Sequence, residues 1–591
     1  MEQNKKKRGP KSKAGRIILS LVITLIFGAV YFYFALPAIN LHAADFYTFL
    51  LLLCIVYSLC ALFTSGLNLQ GGGARTYFRF LKSQCLPAAI LAAAGIVVGV
   101  LGYIVSLPIF RASDYRDLLQ VETGDFSTDI KEVSYDEIPM LDEDSAERLG
   151  DRRLGELSDL VSQFEVSDAY TQINYQGRPV RVTYLTYGDF FKWVNNRAQG
   201  LPAYITVDMV TQEVSVVRLS DLGLEGIQYS PSELFNRNLV RHLRFQYPTY
   251  MFSEPTFEID EQGRPWWICP KVVKTIGLFG GTDIDGAVLM DAITGESTYY
   301  AAEDIPNWVD RVYLAELIME QYDYHGTFVN GFLNSIFGQK DVTVTTDGYN
   351  YIAMDDDVYM YTGITSISGD QSNVGFLLSN QRTKETTYYQ VGGAIEESAR
   401  DSAEGVVQDL GYRSTFPLLL NIGGEPTYFM SLKDASELVK QYAMVNVSQY
   451  QIVATGTTVA ACEANYLNLL ANQGITSPEA LPQTSASGTI AEIRTAVMSG
   501  NSYYFIRLEG ETVFYSVSAS DFPIVVVLNP GDAVTIEHQL AAEGETPSIL
   551  DGYSITLDHA APPAAPQNTT NSSETPQTVS PDTEEPSSAA E

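Results

Sequence analysis

The chain has 591 residues, 46% hydrophobic and 11% aromatic, with a formal net charge of −34. That length calls for more than one core, and 36 Tyr with 27 Phe argue against wholesale disorder. The charge is uneven, +8 over residues 1–110 and −42 over the rest, so the large acidic part repels polyanions and nucleic acid is excluded as its partner.

Three apolar stretches, Ile17–Leu36, Phe46–Thr64 and Leu86–Phe110, contain no ionisable Asp, Glu, Lys, Arg or His. Each has the roughly 20 residues needed to cross a 30 Å hydrocarbon layer. The first exceeds the core of a signal peptide, and two more spans follow, so an uncleaved helix is expected. The basic run Lys5–Arg16 and the connection carrying Arg75, Arg79 and Lys82 belong on the cytoplasmic side. Residues after about 110 are therefore expected outside a cell membrane crossed three times. The N-terminal run also offers contacts to anionic lipid. Gly95 and Gly99 form a G-x-x-x-G pattern in the third span; it serves either packing within this bundle or a homo-oligomer or partner helix.

Residues 111–145 read as a polar juxtamembrane connector, and residues 146–480 as an α+β region in which helices alternate with antiparallel hairpins. One unit recurs at Ile205–Val217, Val288–Tyr300 and Phe376–Tyr389: strand, polar turn, strand. A further hairpin spans Phe257–Ile268 around Gly263. Helices are expected from a capping box at Ser230-Pro-Ser-Glu233 to near Arg244, and over Trp308–Tyr322, Ala394–Leu410 and Thr457–Leu470. The helix-then-hairpin order, closing on Val288-Leu-Met-Asp-Ala-Ile-Thr-Gly-Glu296, resembles the PepSY-like domains of bacterial envelope proteins. The layout as a whole resembles Gram-positive envelope proteins with a short membrane segment and a large outer domain. The resemblance implies binding, or restraint of peptidases, and not catalysis.

Residues 487–557 read as a small OB-like β-barrel with strands at Gly488–Ile493, Ser502–Leu508, Thr512–Val517, Ile524–Leu528 and Ala533–His538. Residues 558–591 are Pro/Ser/Thr/Glu-rich and expected to be disordered.

The chemistry-bearing residues are sparse. Five His are scattered, and H-E-x-x-H, C-x-x-C, G-x-S-x-G, S-x-x-K and the P-loop pattern do not occur. No cofactor is indicated. Asp355-Asp356-Asp357 reads as a solvated turn, with calcium ligation or an acid site as alternatives, and Asp283-Ile-Asp285-Gly286 resembles a fragment of a calcium loop without its later ligands. Cys269 and Cys462 either pair or stand as isolated thiols. The adjacent pairs Trp266/Trp267, Tyr299/Tyr300 and Tyr388/Tyr389 place one ring on each face of a strand. The outward ring either makes an interaction surface or lies beneath a packed helix. The expected function is a non-catalytic, membrane-anchored interaction protein that scaffolds or modulates an envelope enzyme or complex through other envelope or membrane proteins. A carboxylate-dependent envelope hydrolase and a ligand-sensing accessory subunit are the alternatives.

Overall fold

The apolar runs form three long helices, α1 (Lys13–Ala35), α2 (Ala44–Thr64) and α3 (Leu86–Val105), each long and apolar enough to cross a bilayer. The computed structural model describes residues 13–64, 80–132, 138–354, 356–367, 372–475, 484–498, 501–519, 522–538 and 549–557. The basic segment before Lys13, Arg75 and Arg79, Asp355, the linker near 481 and the tail after 557 lie outside them. The third span is shorter than expected. It ends at Val105, and Pro108, which suits a first helical turn, opens a separate helix α4 (Pro108–Arg116).

The chain divides into two compact units, residues 1–481 and 482–591. Beyond α4 the first unit contains mixed helix and antiparallel sheet in a fourfold repeat. Each repeat is a helix followed by five strands, in which the first two strands share one edge of the third and the third, fourth and fifth form a meander. The first has α5 (Glu143–Gly155), β1 (Phe164–Val166), β2 (Thr171–Tyr175), β3 (Arg178–Tyr187), a short helix α6 (Phe190–Asn196), β4 (Ala203–Asp208) and β5 (Val214–Arg218). The second has α7 (Leu239–Gln246), β6 (Met251–Phe252), β7 (Thr256–Ile259), β8 (Pro265–Ile276), β9 (Gly280–Asp291) and β10 (Ser297–Ala301). The third has α8 (Ala315–Thr327), β11 (Thr343–Thr345), β12 (Asn350–Met354), β13 (Asp357–Ser366), β14 (Ser372–Asn380) and β15 (Thr386–Tyr389). The fourth has α9 (Glu396–Val406), β16 (Arg413–Ser414), β17 (Leu418–Ile422), β18 (Glu425–Lys433), β19 (Val439–Asn446) and β20 (Val453–Gly456), closed by α10 (Val459–Asn472).

The recurring turn has a local physical cause. Asp208, Asp291 and Asn380 each accept two backbone N–H bonds through Oδ1, from the residues two and three further on, at 2.7–3.0 Å. The next residue then takes a left-handed φ, 61° at Gln212, 75° at Gly295 and 67° at Lys384. Thr211, Thr294 and Thr383 accept the N–H of the glutamate two residues on. Asx and Thr side chains thus replace the ladder bonds that a five-residue reversal forgoes. The fourth repeat keeps only part of the first device: Asn446 Oδ1 accepts one backbone N–H, that of Gln449, at 2.8 Å.

Consecutive sheets share cores. On β8, Trp267 and Cys269 enter a core with the first sheet, while Trp266 and Ile268 face one shared with the third. On β13–β15, Met360, Leu377 and Tyr388 face the second sheet, while Tyr361, Phe376, Leu378 and Tyr389 face the fourth. The second and third sheets are therefore buried on both faces. The expected connector is part of this stack: Glu122–Gly124 pairs in parallel with β15, and Asn421 Nδ2 donates to Ile130 O at 2.8 Å.

Two helix boundaries differ from expectation. The helix expected from Ser230 begins at Leu239 with Asn238 as its cap. Glu233, the presumed capping-box acid, is buried and accepts from Tyr187 Oη at 2.7 Å and Trp193 Nε1 at 2.8 Å. The helix expected from Trp308 begins at Ala315.

In the second unit, β21 (Ser485–Met498), β22 (Asn501–Leu508), β23 (Phe514–Ser518), β24 (Ala533–His538) and β25 (Ile549–Leu557) each pair with two others. The order is β21–β22–β23–β25–β24, returning to β21, with only β23 and β25 parallel. The run Ile524–Leu528, expected as a strand, lies on a 3₁₀ turn over Pro523–Val527. A short apolar run does not by itself distinguish the two. The fifth strand is Ile549–Leu557.

Candidate functional site

The joint between the apolar helices and the repeats is polar. Leu36 ends α1 in a left-handed conformation, φ 51°, and Pro37 cannot continue a helix. The last turn of α1 is left with unpaired carbonyls, which two arginines of α7 satisfy. Arg241 Nε donates to Tyr33 O at 3.1 Å and Arg244 Nε to Leu36 O at 3.0 Å. Cations at a helix C-terminus also oppose its dipole, and the Arg241 guanidinium lies 4.6 Å from the Tyr33 ring centroid. The α1–α2 loop adds Ile39 N to Pro248 O at 2.8 Å and Asn40 Nδ2 to Thr249 O at 2.9 Å.

At the end of α3, Ser106 Oγ accepts from Leu278 N and Phe279 N at 2.9 and 3.1 Å, at the tip of the β8–β9 hairpin. Gly102 permits this approach, since a Cβ there would lie 2.4 Å from the Leu278 side chain. His42 Nδ1 lies 2.9 Å from Leu278 O.

Between these contacts is a cleft of about 640 Å³, with His42, Asp45, Tyr103, Arg244, Lys274 and Phe279 among its walls. Lys274 donates to Thr282 Oγ1 at 2.6 Å. Burial lowers the pKa of both the Lys274 ammonium and the Arg244 guanidinium. Asp45 is partly committed, accepting from Ala38 N at 3.0 Å. Arg244 is committed as well, donating to the carbonyls of Leu36, Tyr247 and Tyr250, while the Lys274 ammonium has three donors with one of them on Thr282.

The sequence-flagged carboxylates do not converge. Asp283 and Asp285 lie in β9, not in a loop, and their partners differ: Lys384 Nζ for Asp283 and Lys271 Nζ for Asp285, each at 2.7 Å. Asp357 is buried at the start of β13, bidentate to Arg382 at 2.7 Å through both oxygens, and accepts from Asn380 at 2.9 Å. Asp356 occupies a left-handed turn, φ 72°. Among the described residues no three His, Cys, Asp or Glu side chains are grouped to hold a metal. Cys269 and Cys462 do not pair. Both thiols are free and fully buried, in different cores, and burial raises their pKa.

The aromatic pairs do not form an exposed interaction surface either, because the next repeat covers the second ring of each. Trp266 lies 5.7 Å from Trp308 with the rings tilted, and Trp267 lies 4.9 Å from Tyr184. Tyr299 and Tyr300 divide between the same two cores, and Tyr388 and Tyr389 between the next two. Gly95 faces α2, where a Cβ would stand 3.4 Å from Leu50, while Gly99 faces open space.

A buried acid pair was not legible. Glu258 (β7) and Asp310 are 0% and 1% exposed where the first three repeats meet. Glu258 accepts from Asp310 N at 2.9 Å and Arg311 N at 3.0 Å, and Asp310 accepts from Asn174 N at 2.8 Å. Burial holds both carboxyls above their usual range, Glu258 to about 7. The joint was equally unmarked; its one signal was Arg241 and Arg244, three apart on an expected helix.

No protein-family model and no curated protein matches the chain. Among solved structures, an exo-β-1,3-galactanase from Phanerochaete chrysosporium crystallised with β-1,3-galactotriose aligns at 8% identity. It covers 58% of this chain and 78% of its own, with a TM-score of 0.17. A score that low gives no fold relationship to argue from.

Proposed function

We propose that the chain is a membrane-anchored, extracytoplasmic interaction protein, a scaffold or modulator of an envelope enzyme or complex, whose repeats are PepSY-like and whose second unit is an OB-like barrel. The observation that carries this reading is the stack itself: four repeats joined through shared cores and held to the apolar helices by Arg241, Arg244 and Ser106. Such a body presents surface at a fixed position relative to the membrane. The ring order of β21–β25, with its single parallel ladder, supports the OB-like reading. Asp357 of the acid-site candidate, and Asp283 and Asp285 of the calcium-loop fragment, serve as counter-ions to lysine or arginine, which weighs against a carboxylate centre built on them. In-cell cross-linking of the tagged full-length chain, followed by purification and mass spectrometry, tests the proposal. A reproducible, near-stoichiometric envelope partner is expected; recovery of the chain alone in repeated trials would sink it.

The cleft beside Lys274 and Arg244 favours one second reading, an accessory subunit that binds an anionic amphiphile. Lys274→Ala should then abolish any thermal shift that an anionic lipid produces in the detergent-solubilised protein.

A further inference from the structure

Six phenylalanines in the first unit beyond α3 are strongly exposed: Phe110, Phe190, Phe191, Phe235, Phe245 and Phe337. All but Phe110 fall into two outcrops, each continuous with the same end of the helix bundle. The first is built on α6 and the segment leading into α7. Phe190 and Phe235 pack on either side of Trp193 at 5.7 and 6.0 Å, and Arg241 Nη1 ties Phe235 O at 2.7 Å. Phe245 reaches Phe32 and Tyr33 in the last turn of α1 at 5.4 and 6.1 Å. Helix α7 is amphipathic in a double sense: Leu239 and Leu243 point into the core, while Val240 and Phe245 point out. Phe235 holds φ 52°, a left-handed backbone that a bulky residue adopts only at a conformational cost.

The second outcrop runs from the end of α3. Tyr115 of α4 donates to Ser106 O at 2.7 Å and packs on Tyr324 at 4.7 Å. Phe328 and Phe332 continue the row, ending at Leu333 and Phe337, which are 71% and 82% exposed.

Membrane thickness fixes what meets these surfaces. The 23 residues of α1 span about 34 Å at 1.5 Å per residue, slightly more than a hydrocarbon core of about 30 Å. The last turn, with Tyr33 and Phe34, therefore lies at the lipid–water boundary, and the rings that touch it lie at the same level. Local charge agrees. Within a strongly acidic region, the first outcrop gathers Lys192, Arg197, Arg237 and Arg241 against Asp189 and the buried Glu233. Aromatic rings mixed with basic side chains are the composition of interfacial segments.

We infer that both outcrops embed in the lipid leaflet around the helix bundle, so that the first unit is seated on the bilayer surface at two points besides its spans. The occupant is lipid, and the embedded groups are Phe190, Phe191, Phe235, Val240 and Phe245 on one side and Leu333 and Phe337 on the other.

The test uses the full chain in proteoliposomes containing brominated phospholipid. A bimane label is placed singly at Phe191→Cys, Val240→Cys and Phe337→Cys, with Tyr450→Cys in the β19–β20 turn as reference and the unsubstituted chain as labelling background. Brominated lipid should cause a loss of emission at 191, 240 and 337 that is absent at 450. Emission at 191 and 337 quenched no more than at 450 overturns the inference. A blue-shifted label that brominated lipid leaves unquenched shows that protein covers the surface, and overturns it as well.

Discussion

The aromatic pairs on the repeat strands and the phenylalanines beside the bundle are opposites in placement. Trp267 and Tyr389 are buried and Trp266, Tyr299, Tyr300 and Tyr388 packed, because another repeat lies against each second face. Phe191 and Phe337 have no such neighbour and are 76% and 82% exposed. Alternation along a strand establishes that two faces differ; it does not establish that either meets water. In a tandem stack the second face of an inner sheet is the next core.

The largest expected effect breaks the buried side of this contrast. Trp267→Ala removes a ring held by Tyr184 and Phe257 and should destabilise the first unit by about 3–5 kcal/mol in unfolding of the detergent-solubilised protein. Phe191→Ala should stay within about 0.5 kcal/mol in the same assay. If the two variants lose equal stability, the contrast fails.

The ion pairs on the inner sheets come next. Arg382→Met leaves the Asp357 carboxylate, 12% exposed, with only the Asn380 amide and should cost about 3 kcal/mol. Removing exposed Arg111 from its pair with Asp114 should cost under about 1 kcal/mol.

A pH effect of intermediate size is expected from Glu258. Its carboxyl is raised from the ordinary value to about 7 in the folded state. The proton-bound form therefore favours folding, a contribution fully present below the unfolded value and lost as pH rises through about 7. Asp310 acts in the same direction. The unfolding midpoint should fall between pH 5 and pH 8, and Glu258→Gln should flatten that dependence. A midpoint that rises over this interval in the unsubstituted chain contradicts the assignment.

The smallest effect sharpens the turn argument. Thr383→Ala removes the acceptor for Glu385 N and should cost about 0.5–1 kcal/mol. Thr415→Ala, outside these turns, removes an acceptor for Ser431 N and gives the scale for comparison.

Much of this architecture was legible in local signals. Long uncharged runs marked the three helices, and the recurring strand–polar turn–strand units marked one reversal in each of three of the four repeats. The fourth escaped because its reversal at Asn446–Ile452 is one residue longer and lacks the Thr and Glu. The capping box at Ser230 misled because Glu233 bonds across space to Tyr187 and Trp193 and not to its own backbone. The joint at Arg244, the Glu258–Asp310 pair and the exposed phenylalanines depend on residues tens to hundreds of positions apart. No periodicity records such neighbours.

Native-state hydrogen exchange on the full chain in detergent tests most directly whether the inner sheets are common walls of one stack. The amides of β8, β9, β13 and β14 should be the slowest in the first unit and open together, with a shared response to Trp267→Ala. Independent opening of the second and third sheets, with the third unaffected by that substitution, would contradict it.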